Sequence, residues 1–152
     1  GVGSNLKDIE GIKTGDYSKF NAGGAVVDPN VEYSPKVKNG EKFENVKAQA
    51  WRSVADRLRN TYNAVNKGME YPPSELISID AEGIGKHLER LKTELSTPRV
   101  RYSKRGLDMV ETKEELKKRE IASPNLADAF IMAMCPHLST AQELPKIDFK
   151  LF

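Results

Sequence analysis

The stretch Leu126-Ala-Asp-Ala-Phe-Ile-Met-Ala-Met-Cys135 places one carboxylate, that of Asp128, in an otherwise apolar run. The residues before it predict a helix start, with Ser123 as the N-cap and Pro124 at the first helical position. A helix this apolar is expected to be buried on most of its surface, where an unpaired carboxylate is unfavourable. A cation-lined cleft or a bound divalent metal would compensate the charge. The alternative is that Asp128 lies at the rim of a partly buried helix and contacts water.

The chain has 152 residues and a net charge of +2, which fits one soluble domain with a sizeable core. Its charge is uneven, because residues 90–119 contain ten Lys or Arg and five Asp or Glu, a local charge of +5. The remainder of the chain therefore sums to −3. A basic segment just before the acid in the apolar helix suits a polyanion whose phosphates are brought to a metal site. A solvated helix and hairpin face explains the same charges.

The cysteine count and the hydropathy argue against a disulfide-bonded, zinc-binding, membrane-spanning or secreted protein. The single cysteine, Cys135, cannot form an internal disulfide, and with only His137 close by it makes a poor zinc site. Apolar runs stay below the roughly 18 residues of a membrane span, and Gly1–Asn5 shows no signal-peptide pattern. We therefore expect a cytoplasmic protein without a membrane partner.

Hydrophobic periodicity predicts the main elements. A long helix is expected from Glu44 to Asn66, ended by Lys67-Gly68, with an apolar stripe that runs as far as Tyr62 and Val65. A second helix is expected from Ile84 to Leu95, with Leu88, Leu91 and Leu95 as its apolar stripe. The segment Arg99–Glu111 alternates around Ser103-Lys-Arg-Gly106, which is typical of a β-hairpin. Thr112 is expected to cap a short helix through Arg119, with Glu115 at the capping-box position.

The two ends of the chain are less regular. Gly1–Leu6 is typical of a turn between a strand and a helix, but no strand precedes it, which suggests a truncated domain. A short strand is expected over Asp16–Asn21. Residues 144–152 alternate apolar and polar after Pro145, as an edge strand or a docking peptide would.

In this order, the pieces resemble the C-terminal nuclease domain of the large terminase subunit of tailed bacteriophages and prophages. Four blocks carry the resemblance across most of residues 1–135. They are Gly1-Val-Gly3 with Phe20-Asn-Ala-Gly-Gly24; Asn45-Val-Lys-Ala-Gln-Ala-Trp51 with Asp56-Arg57; Leu91-Lys-Thr-Glu-Leu-Ser-Thr-Pro-Arg99 with Arg101-Tyr-Ser-Lys-Arg-Gly106; and Glu111-Thr-Lys-Glu-Glu-Leu-Lys-Lys-Arg119 with Ser123-Pro-Asn-Leu-Ala-Asp-Ala129.

The resemblance implies an α/β, ribonuclease H-like fold, a mixed sheet flanked by helices, truncated here at its N-terminal strands. Residues 1–137 would form the C-terminal part of the nuclease domain, and residues 138–152 a C-terminal tail. Asp128 matches the last catalytic acid of the family, a ligand of one of two divalent metals, Mg²⁺ or Mn²⁺. The two earlier acids of the family precede the matched glycines and have no counterpart in this sequence.

Five basic residues are candidates for binding DNA, because long cationic side chains on or beside a hairpin can contact phosphates without sequence preference. They are Arg99, Arg101, Lys104, Arg105 and Lys113. A charged hairpin that only confers solubility is the alternative. Glu111 and Lys113 could approach the cleft, or form a solvated pair.

The resemblance implies an endonuclease that cuts concatemeric double-stranded DNA during phage DNA packaging in the host bacterial cytoplasm. The phage portal and the small terminase subunit would be its partners. The chain alone is expected to be inactive, since it carries one of the metal ligands, and to self-associate through faces that missing strands would cover. A non-catalytic module that binds DNA or docks to the portal or another subunit is the alternative.

Overall fold

The computed structural model describes residues 19–139, which form helices and two small antiparallel sheets. The elements follow one another as β1 (Glu32–Ser34), β2 (Val37–Lys38), α1 (Asn39–Lys42), α2 (Val46–Lys67), α3 (Ala81–Ile84), α4 (Leu88–Ser96), β3 (Val100–Tyr102), β4 (Asp108–Val110), α5 (Lys113–Lys118) and α6 (Asn125–Met134). Short 3₁₀ turns lie at Pro73–Glu75, Gly85–His87 and Pro136–Leu138. No helix formed by the described residues is long and apolar enough to cross a membrane.

The long helix α2 begins and ends at local signals. The side-chain oxygen of Asn45 accepts a hydrogen bond from the backbone N–H of Ala48, 2.9 Å away, and so satisfies one free donor of the first turn. Gly68 ends the helix with φ 65°, a left-handed conformation that glycine adopts without strain. The predicted helix over residues 44–66 is confirmed to within two residues at either end.

The core lies between α2 and α6. Ala50 and Val54 of α2 pack with Ile131 of α6 and with Cys135 directly after α6, and these four residues are at most 2% exposed. The predicted apolar stripe of α2 continues to Tyr62 and Val65, yet these two are 60% and 77% exposed. The stripe therefore extends beyond the part of α2 that the described elements cover.

Arg57 of α2 binds two other parts of the chain: the segment between α2 and α3, and the end of α6. Its Nε donates to the carbonyl of Leu76 at 3.0 Å, and its guanidinium also donates to the carbonyl of Met134 at 3.1 Å. The second bond satisfies a carbonyl in the last turn of α6, which would otherwise lack an intrahelical partner. One side chain thus sets the position of two chain segments against α2.

The predicted hairpin is confirmed, with Arg101 opposite Met109 and a turn closed at Gly106, whose φ is 78°. The sheets within residues 19–139 are the pairs β1–β2 and β3–β4. The larger mixed sheet implied by the resemblance is not among them. Asp16–Ser18 of the predicted strand Asp16–Asn21 lie outside the described residues, and Phe20 and Asn21 are not in a strand. The predicted turn at Gly1–Leu6 and the tail over residues 144–152 also lie outside them.

The helix predicted over Ile84–Leu95 is divided in the structure. A 3₁₀ turn over Gly85–His87 separates α3 from α4, and Gly85 has φ 52°, which breaks the regular helix. Leu91 on α4 is buried at 3% exposure, and Leu88 and Leu95 are partly buried. The predicted stripe is therefore correct, although the continuous helix is not.

The N-terminus of α6 is capped by a residue that the sequence analysis did not identify. The helix begins at Asn125, and Ser123 donates its hydroxyl to Asn125 Oδ1 at 2.8 Å instead of capping the helix. The carboxylate of Glu94 accepts the backbone N–H groups of Leu126 and Ala127 at 2.7 and 3.1 Å. Ser123 as N-cap was therefore a wrong prediction, because a carboxylate from α4 occupies the capping position. By contrast, the predicted Thr112–Glu115 capping box on α5 is present.

Glu94 is held as a carboxylate by these contacts. Burial on its own raises the pKa of Glu94, but the hydrogen bond from Arg90 and the two backbone N–H donors outweigh it and lower the pKa below the ordinary value of a glutamate. A depressed folded-state pKa stabilises the fold above the unfolded-state pKa. This contribution is lost as the pH falls through the folded-state value.

We predict that Glu94→Gln lowers the free energy of unfolding at pH 7 by about 0.3–1 kcal/mol, the usual effect of a charge at a helix N-terminus. The difference from wild type should shrink as the pH falls from 5 to 3, because wild-type Glu94 then loses its charge as well. Urea denaturation at several pH values measures both effects. Glu70→Gln, at an exposed acid after α2, is the matched control and should change little. A difference that stays constant down to pH 3 would contradict the role of the charge.

Candidate metal and nucleic-acid site

Asp128 lies in the first turn of α6, where its neighbour across the helix interface is a lysine. Its carboxylate oxygen lies 3.7 Å from Lys47 Nζ, and the two side chains are 22% and 20% exposed. Both interpretations from the sequence therefore hold in part, since a cation compensates the charge and the carboxylate still contacts solvent. The ion pair is long for a charge-assisted hydrogen bond, so the carboxylate oxygens remain open to a further ligand.

Lys47 is itself positioned by the first turns of α2. Its backbone N–H donates to the carbonyl of Ala22 at 2.9 Å, and its ammonium group lies 5.9 Å from the ring centroid of Trp51. A cation at this distance from an indole face is attracted by the ring. Lys47 therefore contacts both an aromatic ring and Asp128.

The loop before α2 is fastened beside this pair. Gln49, which is buried, donates to the carbonyl of Val27 at 3.0 Å and accepts from its backbone N–H at 3.0 Å. This two-way hydrogen bond mimics a strand pair and fixes the loop against α2. The loop before α2 is therefore bonded to that helix at two points near Lys47, through the carbonyl of Ala22 and through the backbone of Val27.

The donor chemistry of Asp128 fits one ligand position of a hard divalent cation such as Mg²⁺, which prefers carboxylate oxygens. Residues 19–139 contain no group of three or more His, Cys, Asp or Glu side chains that could hold a metal ion. Cys135 is fully buried, burial raises the pKa of its thiol, and its Sγ lies 3.8 Å from the carbonyl oxygen of Ala50. Within the described residues, Asp128 is thus a single carboxylate arm and not a complete metal site.

The candidate DNA-binding residues lie at the surface but differ in their partners. All five are exposed: Arg99, Arg101, Lys104, Arg105 and Lys113. Arg105 pairs with Glu44 at 3.0 Å, and Arg101 lies 3.6 and 3.9 Å from the carboxylates of Glu111 and Glu115. The other three have no carboxylate partner among the described residues. The structure thus brings the candidates onto one hairpin and the start of α5, and it pairs Asp128 with Lys47 and not with any of the five.

Glu111 corrects an expectation from the sequence. A solvated pair with Lys113 was expected, but Glu111 is fully buried, while Lys113 is exposed. The carboxylate accepts a hydrogen bond from Arg119 at the end of α5 and another from the backbone N–H of Arg99 at 3.1 Å. The solvated pair is therefore wrong, because Arg119 folds back and neutralises Glu111 in the interior.

Asp108, at the other end of β4, is a second buried acid that the sequence analysis missed. It is 7% exposed, and its carboxylate lies 3.0 Å from Lys42 Nζ and 3.3 Å from the guanidinium of Arg52. The backbone N–H of Glu44 also donates to the Asp108 carbonyl at 3.0 Å. Strand β4 is thus anchored to α1, α2 and α5 by acids at its two ends. An acid that interrupts the apolar positions of the strand is the only sequence signal for this role.

A groove of about 560 Å³ opens beside α2, lined in part by Tyr33, Asp56, Glu75 and His137. The hydroxyl of Tyr33 donates to Asp56 at 2.6 Å, and burial together with this carboxylate raises the pKa of Tyr33 to about 12. His137 is exposed at its rim. The groove mixes acids with arginines and amides, so its lining does not indicate one class of ligand.

Solved structures show what the described fold is similar to. The nuclease domain of the large terminase subunit gp2 of bacterial virus Sf6 superposes with a TM-score of 0.70 at 37% identity, over 74% of this chain and 50% of that chain. A lysine-to-alanine variant of that domain, solved with manganese, gives a TM-score of 0.69 at 36% identity over the same shares. The variant with manganese and beta-thujaplicinol gives 0.71 at 36% identity, over 76% of this chain and 51% of that chain.

No protein-family model matches the chain, and no curated protein matches it. The chain spans about half the length of the solved domains that it resembles. The identity and the shared fold over three quarters of the chain nevertheless agree with the four sequence blocks. The chain belongs to the nuclease-domain family of bacteriophage large terminase subunits.

Proposed function

We propose that this chain is part of a metal-dependent endonuclease domain that cuts concatemeric double-stranded DNA during phage DNA packaging. The observation that carries the proposal is the partly exposed carboxylate of Asp128, in a chain whose fold matches the terminase nuclease domain. The manganese- and calcium-bound forms of the Sf6 domain support a divalent cation in this family. We propose Mg²⁺ or Mn²⁺ as the physiological metal.

Asp128 would hold one metal of a two-metal site, with the other ligands supplied by the half of the domain that this chain does not match. A metal pair, when bound, activates water and stabilises the leaving oxygen of the phosphodiester. The ribonuclease H-like mixed sheet belongs to the same proposal, since it would bring the remaining acids to Asp128. Lys47 would keep the Asp128 side chain directed towards the α2 side of the cleft.

The proposed DNA surface consists of the five basic residues of the hairpin and the start of α5. Three of them, Arg99, Lys104 and Lys113, have no described carboxylate partner, so their charges are available to phosphates. Arg101 and Arg105 would exchange long or exposed ion pairs for phosphate contacts, and such surface pairs are weak. Backbone contacts of this kind give affinity without sequence preference.

Partners and location follow from the same proposal. The portal and the small terminase subunit would be assembly partners in the host bacterial cytoplasm. The isolated chain is proposed to self-associate, because Tyr62 and Val65 remain exposed on the apolar stripe of α2.

Light scattering at micromolar concentration tests the self-association. An oligomer whose size depends on concentration is expected, and the double variant Tyr62→Ser, Val65→Ser should reduce it. A monomer at every concentration would show that the exposed Tyr62 and Val65 do not cause the chain to associate.

Asp128→Ala, in the whole nuclease domain, is predicted to abolish DNA cleavage in Mg²⁺ or Mn²⁺ while leaving the unfolding transition cooperative. The substitution removes a metal ligand from a partly exposed position, so the packing of α6 should change little. Glu82→Ala is the matched control, because Glu82 is an exposed acid in the first turn of α3. Plasmid nicking measures the activity.

Near wild-type cleavage by the Asp128→Ala domain would overturn the metal-ligand assignment. If the wild-type domain binds DNA but does not cut it in either metal, the chain is instead a binding or docking module. The isolated 152-residue chain should not cut DNA, and robust metal-dependent nicking by it would contradict the proposed division of the ligands.

Replacing four hairpin cations with Ala should weaken duplex binding and flatten its salt dependence. Each lost phosphate contact reduces the slope of log K against log salt by about 0.9. The variant carries Arg99→Ala, Arg101→Ala, Lys104→Ala and Arg105→Ala. Fluorescence anisotropy with a labelled duplex in EDTA measures both quantities without cleavage.

The control variant also loses four positive charges, but from positions outside the hairpin. It replaces four exposed lysines with Ala: Lys38, Lys67, Lys86 and Lys92. Only the hairpin variant should lose several phosphate contacts. Equal slopes for the two variants would assign the hairpin cations to solubility.

A further inference from the structure

Glu111 lies beneath the basic hairpin and is the most deeply buried acid of the described residues. Its side chain is fully buried, and one of its oxygens has no hydrogen-bond partner there. The other oxygen accepts from Arg119 and from the backbone N–H of Arg99. A buried charge is tolerated only when partners compensate it, so the positions of these donors are tied to Glu111.

The donors around Glu111 come from two separate segments of the chain, one beside the hairpin and one at the end of α5. The Arg99 amide lies just before β3, and Arg119 lies just after α5, the helix that begins with Lys113. One carboxylate therefore connects the first strand of the hairpin to the far end of α5. Without this connection, the first strand keeps its pairing with β4, the hydrogen bond from the Glu111 backbone N–H to the Arg99 carbonyl at 2.9 Å, and the long contact between Arg101 and Glu115.

Arg101 is held by the free oxygen of the same carboxylate without being buried. Its guanidinium lies 3.6 Å from that oxygen and 3.9 Å from Glu115, and its side chain is 45% exposed. Both distances exceed those of a direct hydrogen bond, so the pairing limits where the side chain lies while its donors stay accessible. Arg101 is thus kept at the surface of β3 with free donors.

The other end of β4 does not depend on Glu111. Asp108 binds Lys42 and Arg52, and these contacts anchor the second strand to α1 and α2. A change at the Glu111 side chain should therefore loosen β3 and its cations relative to α5, while β4 stays in place and remains paired with β3. This makes the effect of Glu111 separable from general unfolding of the hairpin.

We propose that Glu111 is a positioning residue for duplex DNA, which holds Arg99 and Arg101 of the hairpin at a fixed place relative to Lys113 on α5. The proposal rests on the function proposed above for the hairpin. Glu111 does not touch DNA and acts through the cations that it orders. The negative charge of Glu111 on its own would repel a phosphate backbone and weaken binding. Its positioning of the cations is proposed to strengthen binding, and this second effect is expected to be the larger.

Because repulsion and positioning have opposite effects on DNA affinity, removing the charge of Glu111 distinguishes them. Glu111→Gln raises the net charge by one at nearly constant size, and a purely electrostatic effect would tighten binding to duplex DNA. Positioning predicts instead that affinity falls about three- to tenfold and that the salt slope decreases by about one or more contacts. Glu114→Gln is the matched control, because Glu114 is exposed on α5 and the charge change is identical. Its affinity should stay equal or increase.

The salt slope separates positioning from loss of folded protein. A smaller folded fraction lowers the apparent affinity at every salt concentration and leaves the slope unchanged. Glu111→Asp provides a second variant, which keeps the charge but shortens the side chain by one methylene. It should also reduce both affinity and slope, and a urea transition confirms that each variant is folded under the binding conditions.

The outcomes are distinguishable from failure of the proposed DNA surface. If the wild type and the four-cation hairpin variant bind DNA equally, the surface itself is wrong and the role of Glu111 falls with it. If the hairpin cations matter but Glu111→Gln binds like Glu114→Gln, the surface stands and the positioning role is overturned. Unchanged affinity and slope for Glu111→Asp would overturn it as well.

Discussion

The packing of α6 against α2 is the interaction on which the rest of the structure depends. Ile131 follows Asp128 at a spacing of three residues, so the two share one face of α6, and Cys135 comes directly after the helix. Burial of Ile131 against Ala50 and Val54 therefore also directs Asp128 towards α2. The Asp128–Lys47 pair is a consequence of this packing and contributes little to it, since a partly exposed ion pair at 3.7 Å is weak.

Carboxylates from distant segments complete this arrangement. Glu94 caps α6 from α4, Asp108 binds cations of α1 and α2, and Glu111 binds the end of α5. Each acid connects two elements, and each is neutralised by arginine, lysine or backbone N–H donors. Glu94 and Glu111 bind cations of the basic region itself, Arg90 and Arg119. Asp108 belongs to the same region but binds Lys42 and Arg52 outside it.

The sequence predicted those features that local interactions determine. The bounds of α2, the hairpin with its turn at Ser103–Gly106 and the Thr112 capping box all depend on neighbouring residues. The cap of α6 could not be predicted from Ser123, because Glu94 reaches it from another helix. For the same reason the burial of Glu111 was missed, since it requires Arg119 to fold back against the strand.

The candidate site shows the same division. The apolar run around Asp128 correctly indicated that its charge needs compensation, but the compensating cation lies on another helix and has no signal near Asp128. The family came from a resemblance in sequence and is shown by the Sf6 structures, whereas the five surface cations came from their charge and their place on or beside the hairpin. The proposed metal site needs further ligands besides Asp128, since the described residues hold no group of three or more possible metal ligands.

A crystal structure of the whole nuclease domain with Mn²⁺ tests the central claim most directly, because it shows which side chains bind the metal. We expect a carboxylate oxygen of Asp128 to lie about 2.0–2.6 Å from a manganese ion, the range of such metal–oxygen bonds. Lys47 should then lie beside the carboxylate without replacing the metal. Manganese bound by other acids, with Asp128 paired only to Lys47, would contradict the account.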